Sequence, residues 1–256
     1  MDGQAPEAVV FADDGVLAYV CGAHIVINTL EDGAQALLPC SADATAVTAL
    51  AACPQSQLLA VAEASGGKPC LAVFDLRTQR RRRVVTLPPG ADQATSFVSA
   101  ALSADGKLLA AVTDGPGWQL LVWAWERSKL LASVKAVAQT GDSVVQVRFR
   151  PAGDEVDAGS PAVSVVGAGT CATFRLEQAG PAHALKAAPL SLGKRDCHDY
   201  TAQAWVPGDA GALAVGTAAG EVLIIRDGYV RQTVQVADAA FGRIQGLTRL
   251  QEVRMR

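Results

Sequence analysis

No Cys-x-x-Cys pair occurs in this sequence, although it holds six cysteines. Cys21, Cys40, Cys53, Cys70, Cys171 and Cys197 are spaced by 19, 13, 17, 101 and 26 positions. A disulfide framework belongs to short secreted chains, and this spacing in 256 residues does not suggest one. The N-terminus, MDGQAPEAVV, lacks a basic region followed by an apolar core, so no signal peptide is expected. The longest uncharged stretch, residues 44–62, contains Pro54, two glutamines and a serine and makes a poor membrane span. There is no basic surplus either: net charge is -3 and the sequence pI about 5.6. That balance argues against nucleic acid and against a polybasic membrane surface as partners. The expectation is an intracellular, soluble, reduced chain.

Chemistry-bearing motifs are missing too. GxSxG and HExxH do not occur, and the glycines of "VVGAGTC" (165–171) and "VGTAAGEV" (215–222) match neither GxGxxG nor GxxxxGK. They read as hairpin turns. The segment "KRDCHDY" (194–200) gathers Asp196, Cys197, His198 and Asp199. A metal needs three or four converging ligands, whereas adjacent loop residues point apart and no second cluster completes a set. His24 and His183 stand alone. No cofactor, no metal and no catalytic residue is expected, and the chain reads as a non-enzyme.

Apolar residues make up 50% of the chain and charged residues 18%, so a sizeable core forms. The apolar residues repeat. Short strands "HIVINTL", "CLAVFDLRT", "LLVWAWERS", "CATFRLEQ" and "EVLIIRDG" align on Ile27, Phe74, Trp123, Phe174 and Ile225, at intervals of 47, 49, 51 and 51. A second apolar strand precedes each, as in "QLLAVAEA" or "KLLAAVTDG". Before four of them lies a third strand closed by a turn-forming sequence such as Asp-Gly or Pro-Gly-Asp. After several comes a fourth, such as "RRVVTLP". Four short strands per unit at a period of 40–50 residues specify β-propeller blades. Valine, isoleucine, leucine and aromatics fill the middle strands because both faces of a blade are buried. Alanine and glycine suit the narrow inner end. No amphipathic helix of three turns is evident, since glycine, proline and β-branched residues recur too often.

The units resemble degenerate WD repeats, without the usual Gly-His and Trp-Asp pairs; Phe74–Asp75 and "VWAWE" (122–126) come nearest. Their order over residues 50–228 resembles the N-terminal propeller of the cilia- and flagella-associated WD-repeat proteins. The resemblance lies in "LLAVAEASGGKPCLAVFDL", the following "RRRR", "SADGKLLAAVTDGPGWQLLVWAWERSKLLASVK", "VVQVRFRP", "DYTAQAWV" and "ALAVGTAAGEVLIIRDG". It implies an axonemal scaffold that helps seat inner-arm dynein complexes on the doublet microtubule, with other axonemal, dynein-arm or microtubule-associated proteins as partners and a location in the cytoplasm, on the cytoskeleton of a cilium or flagellum. Members of that family carry propellers followed by long coiled coils, whereas "LTRLQEVRMR" is far too short for one. The alternative is a general cytoplasmic WD-repeat adaptor in a ligase or RNA-processing complex.

The fold class expected is all-β: a WD40-like β-propeller of about five four-stranded blades over residues 1–236, with 237–256 opening a sixth at "GRIQGLTRLQ" or forming a tail. Because the last unit begins and is not finished, an incomplete propeller that self-associates is favoured. The other possibility is that five blades close on themselves, with "AVVFA" (8–12) completing the last sheet. Trp123 and Trp125, two apart on one strand, are expected on one face, in the core between blades. Arg80, Arg81, Arg82 and Arg83 fall at the start of an outer strand, where charge guards an edge against pairing. They are also the candidate contact for an acidic protein partner.

Overall fold

The computed structural model describes residues 8–22, 24–66, 68–89, 93–151, 160–195, 198–206 and 211–236. The expected sixth blade, with all of residues 237–256, lies outside them. Twenty strands form five four-stranded antiparallel sheets, each built in chain order. Sheet 1 is β1 (Val9–Asp13), β2 (Val16–Cys21), β3 (His24–Thr29) and β4 (Gln35–Pro39). Sheet 2 is β5 (Ala46–Cys53), β6 (Leu58–Ala64), β7 (Cys70–Asp75) and β8 (Arg80–Thr86). Sheet 3 is β9 (Phe97–Leu102), β10 (Leu108–Thr113), β11 (Gln119–Ala124) and β12 (Lys129–Lys135). Sheet 4 is β13 (Gln146–Phe149), β14 (Ala162–Gly167), β15 (Thr170–Ala179) and β16 (Ala182–Ala188). Sheet 5 is β17 (Tyr200–Trp205), β18 (Ala212–Thr217), β19 (Glu221–Arg226) and β20 (Tyr229–Gln235). Among the described residues the only helical elements are three short 3-10 turns, Pro54–Ser56, Trp125–Arg127 and Gly193–Arg195.

Five blades match the expectation, with two differences. The first unit also has its leading strand, β1, which pairs with β2 from Val9 opposite Tyr19 to Asp13 opposite Val16. The "AVVFA" segment is therefore the first strand of sheet 1 and does not complete the last sheet. The second difference is at Trp125. The strand ends at Ala124, and Trp125 opens a 3-10 turn, so the two tryptophans do not share one strand. Both are nonetheless core, at 2% and 1% exposure.

The chain divides into two compact units, Met1–Ala136 with Gln178–Ala184, and Val137–Glu177 with Leu185–Arg256. In the first, sheet 1 packs on sheet 2 through Ala18, Ile25 and Leu38 against Leu50, Leu59 and Phe74. The other face of sheet 2 offers Ala49, Ala51, Ala60 and Ala62, into which sheet 3 inserts Phe97, Leu109, Trp123 and Trp125. Phe97 and Trp123 meet edge to face, with centroids 6.1 Å apart. In the second unit Val166 and half-buried Cys171 of sheet 4 meet Tyr200, Trp205, Leu213 and Ile225 of sheet 5. A polar pin joins the same two sheets. The Gln203 backbone N–H donates to Gln146 Oε1 at 2.7 Å, and Gln203 Nε2 donates to the Gln146 and Ser164 carbonyls at 3.0 and 3.1 Å.

A rule of direction emerges. Between sheets 2 and 3, and between sheets 4 and 5, the earlier sheet offers smaller side chains on its back face, and the later sheet fills them from its front face with aromatics and leucines. Sheet 4 keeps the rule by itself: Phe149, Val163 and Phe174 are paired in one row, on the face away from sheet 5. Such size complementarity lets tapered sheets reach close packing without voids.

Two glycines show how tight these approaches are. "VVGAGTC" does contain a turn glycine, Gly169, with φ +68°. Gly167 instead ends β14, in extended backbone. A Cβ there would meet the backbone of the 143–144 segment, 2.7 Å from both the Ser143 carbonyl carbon and Val144 Cα.

Cys40, Cys53, Cys70 and Cys171 are free thiols, buried or partly buried against the core. Burial, with the Glu63 charge adding to it, pushes the Cys40 thiol up to about 11 and the Cys70 thiol up to about 12; burial alone pushes Cys171 to about 12. Cys53 is buried and donates to the Ser103 and Ala104 carbonyls. Only the thiolate is nucleophilic. Iodoacetamide at mildly alkaline pH should therefore label exposed Cys21 ahead of these four in the folded chain. Peptide mapping checks this. Cys40, Cys70 and Cys171 labelling as fast as Cys21 would show that these thiols are not shielded.

Candidate protein-interaction site

Strand β8 is the outer strand of sheet 2, paired only through β7. All four arginines, Arg80, Arg81, Arg82 and Arg83, are exposed on it. The outer-edge position expected from the sequence is thus the observed one. A bulge shapes the run: Phe74 pairs with Arg81 and Val73 with Arg83, so Arg82 is the extra residue. An extra residue breaks the strict alternation of sides. Arg81 Nη1 donates to Ser41 Oγ at 2.8 Å, in the loop before β5. Arg82 and Arg83 both lean the other way, toward the turn after β11. Arg82 sits with its guanidinium carbon 6.0 Å from the Trp125 ring centroid and 3.7 Å, N to O, from Asp75. Arg83 Nη2 donates to the Glu126 carbonyl at 2.8 Å.

These contacts order three long side chains without consuming their charge. Among the described residues Asp75 is the single carboxylate in an ion pair with the run, and its carboxyl is held below the usual range. The cause is first the Thr78 backbone N–H, then the Thr78 side chain, with Arg77 and Arg82 adding attraction. Each guanidinium carries five donors, of which the partners above take one each from Arg81, Arg82 and Arg83. Four cations thus line roughly 10 Å of strand, which suits a segment with spaced carboxylates. Surface ion pairs of this kind contribute little to stability.

Sequence reasoning gave no sign of Glu63, which is completely buried in β6 between sheets 1 and 2. Glu63 Oε2 accepts from the Ser41 backbone N–H at 3.2 Å and from the Cys70 thiol at 3.7 Å, while Oε1 has no partner. The run "LLAVAEA" carries one charge among apolar neighbours, and alternation alone does not say that both faces are covered. Of "KRDCHDY", Asp196 and Cys197 lie outside the described residues. His198 and Asp199 accept backbone hydrogen bonds from Gly169 and Ala218 through their carbonyls. Among the described residues no group of three or more His, Cys, Asp or Glu could hold a metal. No helix among them is long and apolar enough to cross a membrane.

No protein-family model matches the chain. It is 27% identical over 223 residues to cilia- and flagella-associated protein 57 of Mus musculus, covering 87% of this chain and 17% of that protein. The curated relatives of this chain are cilia- and flagella-associated proteins. A second is cilia- and flagella-associated protein 43 of Chlamydomonas reinhardtii, 27% identical over 259 aligned residues, which cover 88% of this chain and 14% of the relative. The chain thus spans less than a fifth of the length of these relatives. Among solved structures, a chain of the mitotic checkpoint complex aligns with a TM-score of 0.64 at 14% identity, covering 92% of this chain and 65% of that one. The Cps50 (Swd1) beta-propeller domain of Myceliophteria thermophila aligns at 0.53 and 17% identity, covering 77% and 56%. The fold is therefore that of a WD40 β-propeller, and the resemblance read from the sequence to cilia- and flagella-associated proteins holds.

Proposed function

We propose that the chain is a non-enzymatic protein–protein interaction scaffold of the ciliary or flagellar axoneme, on the cytoskeleton, and that it acts in the assembly or docking of inner dynein arms. The observation that carries this reading is the match to two cilia- and flagella-associated proteins over 87% and 88% of the chain. Rigid sheets packed by their faces leave edges and loops to do the binding, which is how such folds display partner sites. Arg80, Arg81, Arg82 and Arg83 are the contact, and the partner offers an acidic segment. The ordered guanidiniums lose little further entropy on binding, and bidentate pairing with carboxylates gives register.

A tagged chain expressed in a flagellated cell should fractionate with demembranated axonemes and be released by salt. Reversing Arg80, Arg81 and Arg83 to glutamate should abolish axonemal retention by tenfold or more, on the scale of lost charge complementarity at an interface. It should leave thermal stability within about 1 kcal/mol, since exposed pairs contribute no more. Uniform cytoplasmic distribution of the unmutated chain would overturn the axonemal reading. Unchanged retention of the variant would overturn the arginine site alone.

A further inference from the structure

Strand β8 ends sheet 2 with one side of its backbone unclaimed. An edge strand bonds its neighbour through alternate residues, and the N–H and C=O groups of the others point outward. Among the described residues no backbone hydrogen bond reaches β8 except from β7. The bulge disturbs only the first half: from Arg83 opposite Val73 to Thr86 opposite Cys70 the ladder is regular. Six of the seven residues of β8 are exposed, Val84 among them, and only Val85 turns into the core.

The other strands that close a sheet differ. β4 ends at Pro39, which has no N–H to offer. β12 has a lysine at each end only. β16 and β20 carry one lysine or arginine each, Lys186 and Arg231, and each is paired on its own hairpin, with Glu177 at 2.7 Å and Asp227 at 3.5 Å. Among these five strands β8 alone combines a regular stretch of open edge with consecutive cations. The cations also flank that edge from both sides. Arg81 pairs with Phe74, which packs toward sheet 1, and Arg83 with Val73, which packs toward sheet 3. Successive residues of an extended chain point to opposite sides, so a run of carboxylates laid along β8 meets a guanidinium on either side. A basic strand is repelled, and a neutral one gains nothing from the arginines.

We propose that an acidic extended segment of a partner protein adds to sheet 2 as a fifth strand, antiparallel to β8. Antiparallel order sets β-branched residues in its first half opposite residues 84–86, and carboxylates in its second half opposite residues 80–83. Main-chain hydrogen bonds to the edge supply affinity, and the arginines select the sequence. This rests on the arginine contact proposed above and adds how the partner is held.

Fluorescence anisotropy of the labelled peptide Gly-Thr-Val-Thr-Val-Glu-Glu-Glu-Glu, titrated with the full chain at low salt, tests this. Two further peptides carry N-methyl groups on both threonines or on both valines. Each loses the N–H donors of one edge and keeps the charge. One of them should bind about tenfold more weakly or worse, and the other about as well as the parent peptide, because only one edge faces β8. Arg81→Glu combined with Arg83→Glu, shown to be folded by circular dichroism and melting, should weaken the parent peptide by about tenfold or more. If that variant does not fold, the methylated pair still decides. Equal binding of the two methylated peptides, no binding of the parent peptide, or binding that survives the double substitution overturns strand addition. Axonemal retention that still falls on reversal of the arginines would then keep the arginine contact, so the two readings fail separately.

Discussion

Trp123→Ala is expected to cost about 3–5 kcal/mol, the range for emptying a large buried aromatic site. The indole is 2% exposed, lies opposite Leu109 and Leu130 in the register, and stands edge-on to Phe97. Its neighbours across the sheet interface are short: Ala49, Ala51, Ala60 and Ala62 cannot extend into the space left behind. The cavity therefore stays largely open, which puts the cost toward the upper end. Trp123→Phe should recover most of it, since a ring still meets Phe97. Urea unfolding followed by circular dichroism measures both. If Trp123→Ala left the midpoint unchanged and instead abolished partner binding, the ring would be an exposed recognition element and the core assignment would be wrong.

Gly167→Ala is the second large effect, from the smallest possible change. The added methyl would be pressed against main-chain atoms of Ser143 and Val144, which cannot rotate away as a side chain could. That segment is itself fixed by two hydrogen bonds to the same strand region, Ser143 N–H to the Ala168 carbonyl at 3.0 Å and Val145 N–H to the Val166 carbonyl at 2.8 Å. Relief requires breaking those bonds or displacing the end of β14 from β15. Overpacking of this kind costs 1–3 kcal/mol where side chains can adjust; against fixed backbone about 3 kcal/mol or more is expected. Gly15→Ala gives the contrast, since nothing lies within 4 Å of its Cβ position and only the positive φ of +67° resists. A Gly167→Ala chain as stable as the parent would show that the 143–145 segment is not anchored as described.

The blades were legible because two signals coincide, a spacing of 47–51 residues and turn sequences before the apolar runs. Either alone is weak, since short apolar runs also occur in buried helices. Strand β1 was seen as an apolar segment whose sheet was left open, because a strand carries no mark of its partner. Trp125 shows a different limit. Residues two apart share a face only while the strand lasts, and the strand stops at Ala124. The tryptophan reaches the core through the turn, with Nε1 donating to the Gly106 carbonyl at 2.6 Å. For the arginines, composition and spacing placed them on an outer strand. The bulge that sends Arg82 and Arg83 to the same side depends on a count against β7, which no single segment contains. Glu63 and the Gln203 pin were illegible for a related reason: their partners lie 22 and 57 positions away in Ser41 and Gln146.

The chain-order assembly of every sheet bears on how the protein comes off the ribosome. Each strand pairs with its predecessor, so backbone pairing within a sheet never waits for a distant part of the chain. Sheet 1 can close its ladders once Pro39 has emerged, and sheet 2 once Thr86 has. Short-range pairing of this kind favours fast folding, and domains fold from the N-terminal side during synthesis. What does wait is the covering of faces. From the time Pro39 emerges until sheet 2 forms, the face of sheet 1 that carries Ala18, Ile25 and Leu38 is bare. Nascent chains should thus be most prone to chaperone capture in that early interval, and a slow codon stretch there would prolong it.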